Sequence, residues 1–252
     1  MSNLIHDFAL VILAAGEGKR MQSNLPKVMH LLQGKPLIEH LVLAGEKVQG
    51  VKKIIAVVSP KHTLVQDHFG SKIEYAVQQE QSGTGNATLV TKELVLHKVE
   101  NVIVLYGDIP GITTESLQRL VDEHGKQKSV VTLITTVVPD FEEWRKPFES
   151  FGRILRNEKG EIQEIKEYKD CSEQEKNTKE LNSGQYCFQT EWLFEHLPLL
   201  KQNNAQKEYY LTDIIKMALE KQKKVSSVQV DPIEALGVST QEDLQILSTL
   251  KK

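Results

Sequence analysis

The chain has 252 residues, which is enough for one large α/β domain or two small ones. Hydrophobic residues make up 40% of it and charged residues 26%, a composition typical of a soluble globular protein. The formal net charge of −3 argues against an extended nucleic-acid-binding surface, so we expect no nucleic-acid partner.

The first half of the chain alternates between two kinds of apolar pattern. Short runs rich in β-branched residues predict strands at 8–15, 53–59, 72–77 and 101–108. Apolar spacings of three and four residues predict helices at 36–49, 83–97 and 112–125. This alternation predicts an α/β fold with a Rossmann-like, mainly parallel sheet between two layers of helices. The apolar runs are continuous because such strands are buried on both faces.

The second half of the chain has a different pattern after about residue 130. A strong strand pattern is followed by a hairpin that turns at Gly160, and then by a polar loop or short helix. The strands predicted in this half lie at 129–138, 183–189 and 224–230, and the helices at 190–200, 208–222 and 240–252. No linker rich in Pro, Gly and Ser separates the halves. We therefore expect one domain with a second lobe after about residue 130.

The two cysteines, Cys171 and Cys187, are too few to form a disulfide framework. Free thiols are typical of a reducing compartment, which predicts a cytoplasmic protein. The apolar run at 8–15 follows acidic Asp7, so it is a strand pattern and not a signal peptide. No apolar run approaches the length that spans a membrane, and we expect no membrane partner.

The loop after the first predicted strand combines two glycines with two cations. Gly16 and Gly18 lack a Cβ atom, so their backbone can turn sharply and bring N–H groups close to phosphate oxygens. Arg20 can form paired hydrogen bonds with a phosphate, and Lys27 offers a compact positive charge. Met21 stands where a dinucleotide fingerprint has its third glycine, and no Walker signature follows. A tight turn would explain the glycines alone, whereas the added cations favour a nucleotide triphosphate site.

The motifs of the chain, in their order, resemble those of the sugar-nucleotide pyrophosphorylases. The opening "LAAGEGKRM…LPKVMH" and "GKPLIEH" are similar to the uridylyltransferase domain of bacterial N-acetylglucosamine-1-phosphate uridylyltransferases. The likeness continues through "QQEQSGTGNA", "LYGDIPGIT", "FGRILRN", "EIKEYKD", "ELNSGQYCF" and "NNAQKEYYLTDII". These motifs cover nearly the whole chain at spacings compatible with the family.

The resemblance implies a nucleotide-diphospho-sugar transferase type of fold and a Mg²⁺-dependent reaction. UTP and N-acetylglucosamine 1-phosphate would give UDP-N-acetylglucosamine and pyrophosphate, a step in cell envelope precursor biosynthesis. It also implies one nucleotidyltransferase domain over 1–252, with a nucleotide-binding half at 1–130 and a sugar-binding half with the C-terminal helix at 131–252. No hexapeptide repeats are present, so we expect no acetyltransferase activity, and the oligomeric state stays open.

The resemblance implies that the nucleotide binds both glycine-rich segments. Arg20 and Lys27 match catalytic positions, and the matching nucleotide-binding positions are Leu13, Ala14, Ala15, Gly16, Gly18, Gln78, Gly83 and Thr84. Gln78 would read the uracil edge, because an amide supplies both a donor and an acceptor. On its residues alone, the segment at Gly83 opens a helix. That helix is either capped by Ser82 or Thr84 or directs free N–H groups towards a ligand.

The sugar-binding residues are implied by the resemblance only. The matching positions are Tyr106, Gly107, Gly152, Glu167, Asn182 and Tyr210, with Tyr209 and Thr212 in the same wall. Glu167 would accept hydrogen bonds from sugar hydroxyls, and Asn182 would donate and accept them. Taken singly, most of these are ordinary hairpin or loop residues, and aromatic residues at the start of an apolar helix are usually core.

The metal site implied by the resemblance contains one departure from the family pattern. Asp108 ends an apolar strand at the sheet edge where α/β folds bind ligands, and it would either ligate Mg²⁺ or cap the next helix. Ser239 stands where the family has Asn or Asp, and a hydroxyl is a weaker ligand. Ser239 could bind directly or through water, or Asp231 or another carboxylate could compensate.

The sequence leaves alternatives to the uridylyltransferase hypothesis open. The same fold could act on another sugar 1-phosphate or on dTTP, because Gln78 separates uracil poorly from thymine. A non-catalytic nucleotide-sugar-binding regulator is the alternative of a different class.

Overall fold

The computed structural model describes residues 7–21 and 23–251 and shows a mixed α/β fold. Its strands are β1 (Phe8–Leu13), β2 (Leu31–Leu32), β3 (Lys35–Pro36), β4 (Val51–Val58), β5 (Glu74–Val77), β6 (Asn101–Tyr106), β7 (Val131–Val137), β8 (Arg153–Arg156), β9 (Ile162–Lys166), β10 (Glu180–Gln189) and β11 (Val225–Val230). Its α-helices are α1 (Leu37–Gly45), α2 (Leu64–Phe69), α3 (Thr84–Leu89), α4 (Lys92–Val95), α5 (Thr114–Gln127), α6 (Thr190–His196), α7 (Thr212–Glu220), α8 (Pro232–Ala235) and α9 (Gln241–Leu250).

The main sheet has the strand order β11-β7-β10-β6-β1-β4-β5, and the β8–β9 hairpin joins it through β10. Strand β1 pairs in parallel with β4 and β6, β4 with β5, and β7 with β11. Strand β10 runs antiparallel to its neighbours β6 and β7. The mainly parallel sheet predicted from the sequence is therefore confirmed.

The sheet separates two hydrophobic clusters, and β1 supplies both. Leu10 and Ile12 belong to the cluster that contains the apolar faces of α1 and α5. Ala9 and Val11 belong to the cluster that contains residues of α6 and α7. All four side chains are buried. Successive strand residues point to opposite faces, so a strand covered on both sides must be apolar throughout.

Several predicted helices differ from the structure. The helix predicted at 83–97 is interrupted, and α3 and α4 are separated at Val90 and Thr91. There the Thr91 hydroxyl donates to the Thr88 carbonyl oxygen at 2.7 Å, and such side-chain bonds compete with the helical pattern. The helix predicted at 190–200 ends at His196 and is followed by a 3₁₀ turn over Leu197–Leu199.

The helix predicted at 208–222 begins only at Thr212, which leaves Tyr209 and Tyr210 in the preceding loop. The Tyr209 N–H donates to the Ser82 carbonyl oxygen at 2.9 Å, and the Tyr209 carbonyl oxygen accepts from the Gly85 N–H at 2.8 Å. These bonds to a distant segment take the place of helical bonds.

The strands after residue 130 complete the sheet that the earlier strands begin, since β7, β10 and β11 extend it beyond β6. The division into nucleotide-binding and sugar-binding halves stays a prediction. The C-terminal helix predicted at 240–252 is α9, which a Thr240–Asp243 capping box begins, and position 252 lies outside the described residues. None of the helices within 7–21 and 23–251 is long and apolar enough to cross a membrane.

Candidate active site at the carboxyl edge of the sheet

The glycine-rich loop and the Asp108 loop leave the sheet side by side. Strands β1 and β6 end at paired residues, Leu13 and Tyr106. Beyond them the Gly107 N–H donates to the Leu13 carbonyl oxygen at 3.0 Å. A Cβ atom on Gly107 would lie 2.7 Å from that oxygen, so only glycine allows this approach. The edge at which parallel strands end is where open α/β folds bind ligands.

The two glycines of the first loop have different environments. Gly18 has a φ of +63°, and a Cβ atom there would lie 2.8 Å from the Cβ atom of Lys27. Gly18 therefore lets the chain turn back against Lys27. A Cβ atom on Gly16 would meet nothing within 4 Å, so its backbone faces open space. The loop thus has one glycine that the fold requires and one, exposed Gly16, where a side chain would meet no other atom.

Three predicted site residues from distant parts of the chain meet at one point. The Lys27 ammonium donates to Asp108 Oδ2 at 2.7 Å and to Ser239 Oγ at 3.4 Å. The Asp108 carbonyl oxygen accepts from the Val238 N–H at 2.7 Å, which anchors the Ser239 segment. The Ser239 N–H in turn donates to Asp243 Oδ2 at 2.8 Å. The Asp108 carboxylate thus pairs with the Lys27 ammonium and caps none of the helices in the described part of the chain.

Arg20 is not part of this cluster. It lies in the 3₁₀ turn Lys19–Met21 and is exposed, and among the described residues it forms no hydrogen bond with Lys27 or Asp108. The structure therefore leaves its guanidinium on the solvent side of the loop. Between the two glycines, Glu17 forms an ion pair with Lys61, which follows β4.

The second glycine-rich segment forms hydrogen bonds with other parts of the protein. The buried Gln78 amide donates to the Gly83 carbonyl oxygen at 3.2 Å and to Asn86 Oδ1 at 2.9 Å. Thr84 Oγ1 accepts from the Leu211 N–H at 3.0 Å. The Gly85 N–H, at the start of α3, is bonded to Tyr209 as described above, so this donor does not face a ligand. Neither Ser82 nor Thr84 caps the helix with its side chain.

Gln81 belongs to the same region, and sequence reasoning missed it as a site residue. Its amide donates to the carbonyl oxygen of Ala15 and so joins the second glycine-rich segment to the first. The quoted motif "QQEQSGTGNA" contains it three residues after Gln78, which is the signal that could have identified it.

Gly152, Glu167 and Asn182 lie together on three neighbouring chain segments. Strand β8 pairs with β9 and β10, and the Asn182 N–H donates to the Gly152 carbonyl oxygen at 2.9 Å. A Cβ atom on Gly152 would lie 3.6 Å from the Asn182 Cβ and 3.7 Å from Glu167 Oε2. The Asn182 amide also donates to the Tyr186 hydroxyl at 2.7 Å. The three residues whose proximity only the resemblance implied thus form one cluster.

Tyr106 connects this cluster to the end of β6. The centre of its ring lies 6.1 Å from that of the Tyr186 ring. A Cβ atom on Gly184 would lie only 2.5 Å from the Tyr106 ring. Because glycine has no Cβ atom, it leaves room for the Tyr106 ring at this position. The φ of +75° at Gly184 also disfavours any residue with a side chain. Tyr210 is buried, and its hydroxyl accepts from Gln206 Nε2 at 2.8 Å.

The carboxyl group of Glu167 is held in an environment that disfavours its charge. Burial raises the pKa of Glu167, and the negative charges of Asp170, Asp213 and Glu208 raise it further. The Thr212 hydroxyl, which donates to Glu167 Oε1 at 3.2 Å, opposes this shift. Among the described residues Glu167 forms no salt bridge, so it is an acceptor whose charge is not balanced by a paired cation there.

The residues at Lys27 provide an oxygen-rich place for a cation. Asp108 and Ser239 direct a carboxylate and a hydroxyl oxygen at one group, the ammonium of Lys27. No cluster of three or more His, Cys, Asp or Glu side chains able to hold a metal occurs within 7–21 and 23–251. Asp231 accepts from the Ile233 N–H at 2.8 Å and caps α8. One carboxylate with additional oxygens suits Mg²⁺, which keeps several waters and binds substrate phosphates.

Comparison with known proteins agrees with this architecture. A model of the nucleotidyl transferase family matches residues 9–232. The chain is 42% identical over 237 residues to the bifunctional protein GlmU of Acetivibrio thermocellus, covering 93% of this chain and 49% of that protein. It is 41% identical over 243 residues to the bifunctional protein GlmU of Streptococcus agalactiae serotype V, covering 96% of this chain and 50% of that protein. The chain thus spans about half the length of the curated relatives it matches.

Solved structures with the same fold share little sequence with this chain. One, assigned as a glucose-1-phosphate thymidylyltransferase from Bacillus anthracis, has a TM-score of 0.76 at 19% identity and covers 96% of this chain and 94% of its own. Another, a UDP-glucose pyrophosphorylase complexed with UDP-glucose, has a TM-score of 0.74 at 17% identity. It covers 97% of this chain and 98% of its own. These similarities confirm the predicted nucleotide-diphospho-sugar transferase fold.

The substitution Gly18→Ala should lower the free energy of unfolding by about 1–3 kcal/mol, because alanine is strained at a positive φ and would approach Lys27. Urea unfolding followed by circular dichroism measures the change. Gly16→Ala is the matched control, since its added Cβ meets no atom within 4 Å, and it should change stability by no more than about 1 kcal/mol. Equal losses in both variants would contradict this account of the loop.

The substitution Glu167→Gln should stabilise the protein at neutral pH. A carboxyl whose pKa is raised in the folded state costs stability above that raised pKa. The cost vanishes below the pKa of the unfolded chain, where the carboxyl is protonated in both states. The stability difference should therefore be full near neutral pH, decline as the pH falls through the raised pKa, and vanish below the pKa of the unfolded chain. Urea unfolding of both proteins from about pH 8 to about pH 4 measures it, and a pH-independent difference would refute the assignment.

Proposed function

Because the chain belongs to the nucleotidyl transferase family, we propose that it condenses UTP with N-acetylglucosamine 1-phosphate. The products are UDP-N-acetylglucosamine and pyrophosphate. The observation that carries the proposal is the meeting of Lys27, Asp108 and Ser239 at the sheet edge, directly behind the glycine-rich loop. The similarity to bifunctional GlmU proteins and the motif order support the choice of uridylyl transfer.

The proposed reaction is an attack of the sugar phosphate oxygen on the α-phosphorus of UTP. The new P–O bond forms in line with the bond between the α-phosphorus and pyrophosphate. That bond breaks, and pyrophosphate leaves with its electron pair. The second pKa of a phosphate monoester is about 6, so the nucleophile is mostly a dianion at neutral pH and needs no general base. Catalysis then depends on aligning two polyanions and on stabilising the developing charge.

We assign the triphosphate to the first loop. Gly16 and Gly18 bring backbone N–H groups to the β- and γ-phosphates, and exposed Arg20 is free to fold over them. Lys27 stabilises charge at the α-phosphate. Its ammonium already has a fixed place beside Asp108, so it is oriented before the substrate arrives.

The nucleoside lies between the two glycine-rich segments in this proposal. Ala14 and Ala15, with Leu13 before them, form one side of the site, and Gln78, Gly83 and Thr84 form the other. The Gln81 amide, bonded to the Ala15 carbonyl oxygen, links the two sides.

Asp108 and Ser239 would hold Mg²⁺ in the loaded enzyme. When bound, the ion would supply positive charge that offsets part of the charge on the leaving pyrophosphate. Ser239 is the weaker of the two ligands, so Asp108 carries most of the site's affinity for the ion.

The sugar lies in the cluster on β8 and β10 in this proposal. Gly152 leaves space beside the Asn182 and Glu167 side chains, which bind the hydroxyl and acetamido groups. Tyr106 and Gly107 lie between this cluster and the nucleotide, and Tyr210 forms a wall. We therefore assign the nucleotide to 1–130 and the sugar to 131–252.

We also propose that the protein works in the cytoplasm, where UTP is available and thiols stay reduced. Cys171 and Cys187 are both free and buried, in keeping with such a compartment. The product would then serve as a precursor of the cell envelope.

The proposed specificity predicts a clear order in a substrate panel. Pyrophosphate release should be fastest with UTP and N-acetylglucosamine 1-phosphate, slower with dTTP or with glucose 1-phosphate, and lost when Mg²⁺ is chelated. A coupled pyrophosphate assay measures all combinations. Faster turnover of dTTP would replace the proposal with thymidylyl transfer, and UTP binding without turnover of any sugar phosphate would favour a regulator.

Lys27→Ala and Arg20→Ala should each lower turnover by about a hundredfold or more, because each charged group is worth on the order of 3 kcal/mol at the transition state. Steady-state kinetics with the preferred substrates measures the loss, and circular dichroism checks folding. Lys35→Ala is the control: this exposed lysine pairs only with Glu39 at 3.4 Å in the salt bridges of the described residues and should leave turnover unchanged. Near-normal turnover in both folded test variants would remove their assigned roles.

A further inference from the structure

Arg153, the first residue of β8, is a fully buried arginine with 0% of its surface exposed. Arginine is almost never buried to this extent unless its charge is paired. Yet within residues 7–21 and 23–251 no carboxylate lies within ion-pair distance of it. Its place in the core is therefore not explained by a salt bridge.

The guanidinium of Arg153 binds main-chain carbonyl groups from two loops. Nε and Nη2 donate to the Lys176 carbonyl oxygen at 3.1 and 3.0 Å, and Nη2 also donates to the Glu149 carbonyl oxygen at 3.0 Å. Nη1 donates to the Phe151 carbonyl oxygen. Because the guanidinium donors have a fixed planar geometry, they hold the two loops at a fixed separation.

Aromatic rings add contacts with the guanidinium. It lies 4.8 Å from the centroid of Phe141 and 5.0 Å from that of Tyr168. A cation that is removed from water gains from contact with aromatic faces. Tyr168 directly follows Glu167, so this contact reaches the third segment of the predicted sugar cluster.

The backbone of Arg153 lies in the middle of the same cluster. Arg153 pairs with Lys166 on β9 and with Leu181 on β10. The next residues along these three segments are Gly152, Glu167 and Asn182, which adjoin one another. Neighbouring strand residues point to opposite faces, so the Arg153 side chain supports the cluster from behind.

We propose that Arg153 is a positioning residue for the sugar phosphate, and that it acts by holding the segments of Gly152, Glu167 and Asn182 in place. This inference rests on the proposed function, since it concerns the sugar side of the same site. None of its contacts reaches the glycine-rich loop or Gln78. Arg153 therefore affects one substrate and not the other.

Arg153→Met, which keeps the length of the side chain and removes its charge and donors, tests the proposal. We expect the KM for N-acetylglucosamine 1-phosphate to rise by about tenfold or more, and the KM for UTP to stay within about twofold. Arg153→Lys keeps the charge without the planar donors and should recover part of the loss. Arg156→Met is the matched control: Arg156 lies three residues later on β8, pairs with Glu180 at 2.6 Å and should leave both KM values unchanged.

A general loss of structure would raise both KM values together, and that result, or an unchanged KM for the sugar phosphate, overturns the proposal. If Arg153→Met does not fold, Tyr168→Leu decides, because it removes one aromatic contact and none of the guanidinium hydrogen bonds. It should raise the KM for the sugar phosphate by about threefold and leave that for UTP unchanged, and an unchanged sugar KM overturns the proposal.

Hydrogen–deuterium exchange separates this inference from the proposed function. If the wild-type protein turns over no sugar phosphate, the proposed function fails, and exchange still reports on Arg153. In a folded variant, either Arg153→Met or Tyr168→Leu, amides at 149–152 and 167–177 should then exchange faster than in the wild type, with no change at 13–21. Equal exchange in all these segments would overturn the positioning role.

Discussion

The salt bridge between Lys27 and Asp108 joins residues 81 positions apart and is the contact around which the candidate site is arranged. It forms because β1 and β6 are parallel neighbours that end at the same level. Both side chains are largely buried, and a carboxylate withdrawn from water needs a cation close to it. The Lys27 ammonium therefore balances the Asp108 charge at the point where the two strands end.

Most of the fold could be predicted from the sequence because its strands are buried on both faces. The runs at 8–15 and 101–108 are apolar without interruption, and such runs have few alternatives in a chain of alternating patterns. The errors occurred where distant contacts decide the local structure. Tyr209 looks helical in its apolar surroundings, but its backbone is bonded to Ser82 and Gly85, which no local pattern reveals. The sequence likewise did not predict that β7, β10 and β11 extend the main sheet beyond β6, since strand order depends on contacts between remote segments.

Some residues of the candidate site could be predicted from the sequence alone, and others could not. Gly18 and Asp108 are informative by themselves, one as a flexible turn beside cations and the other as an acid at a strand end. Glu167 and Asn182 carry no such signal, and only the resemblance to a family suggested that they lie together. Arg153 was missed altogether. An arginine beside a glycine in a polar hairpin looks like a surface residue, and its burial becomes evident only when the loops around it are in place.

Strand β10 has a consequence for the way the chain assembles. It lies between β6 and β7, yet it comes after β7 in the chain. The neighbouring strands β6, β1, β4 and β5 can pair as soon as residue 106 has left the ribosome. Strand β7 has no partner in the sheet until residues 180–189 have been made. During synthesis β7 therefore waits about fifty residues for its partners in the sheet, and an unpaired strand of this kind is prone to aggregation.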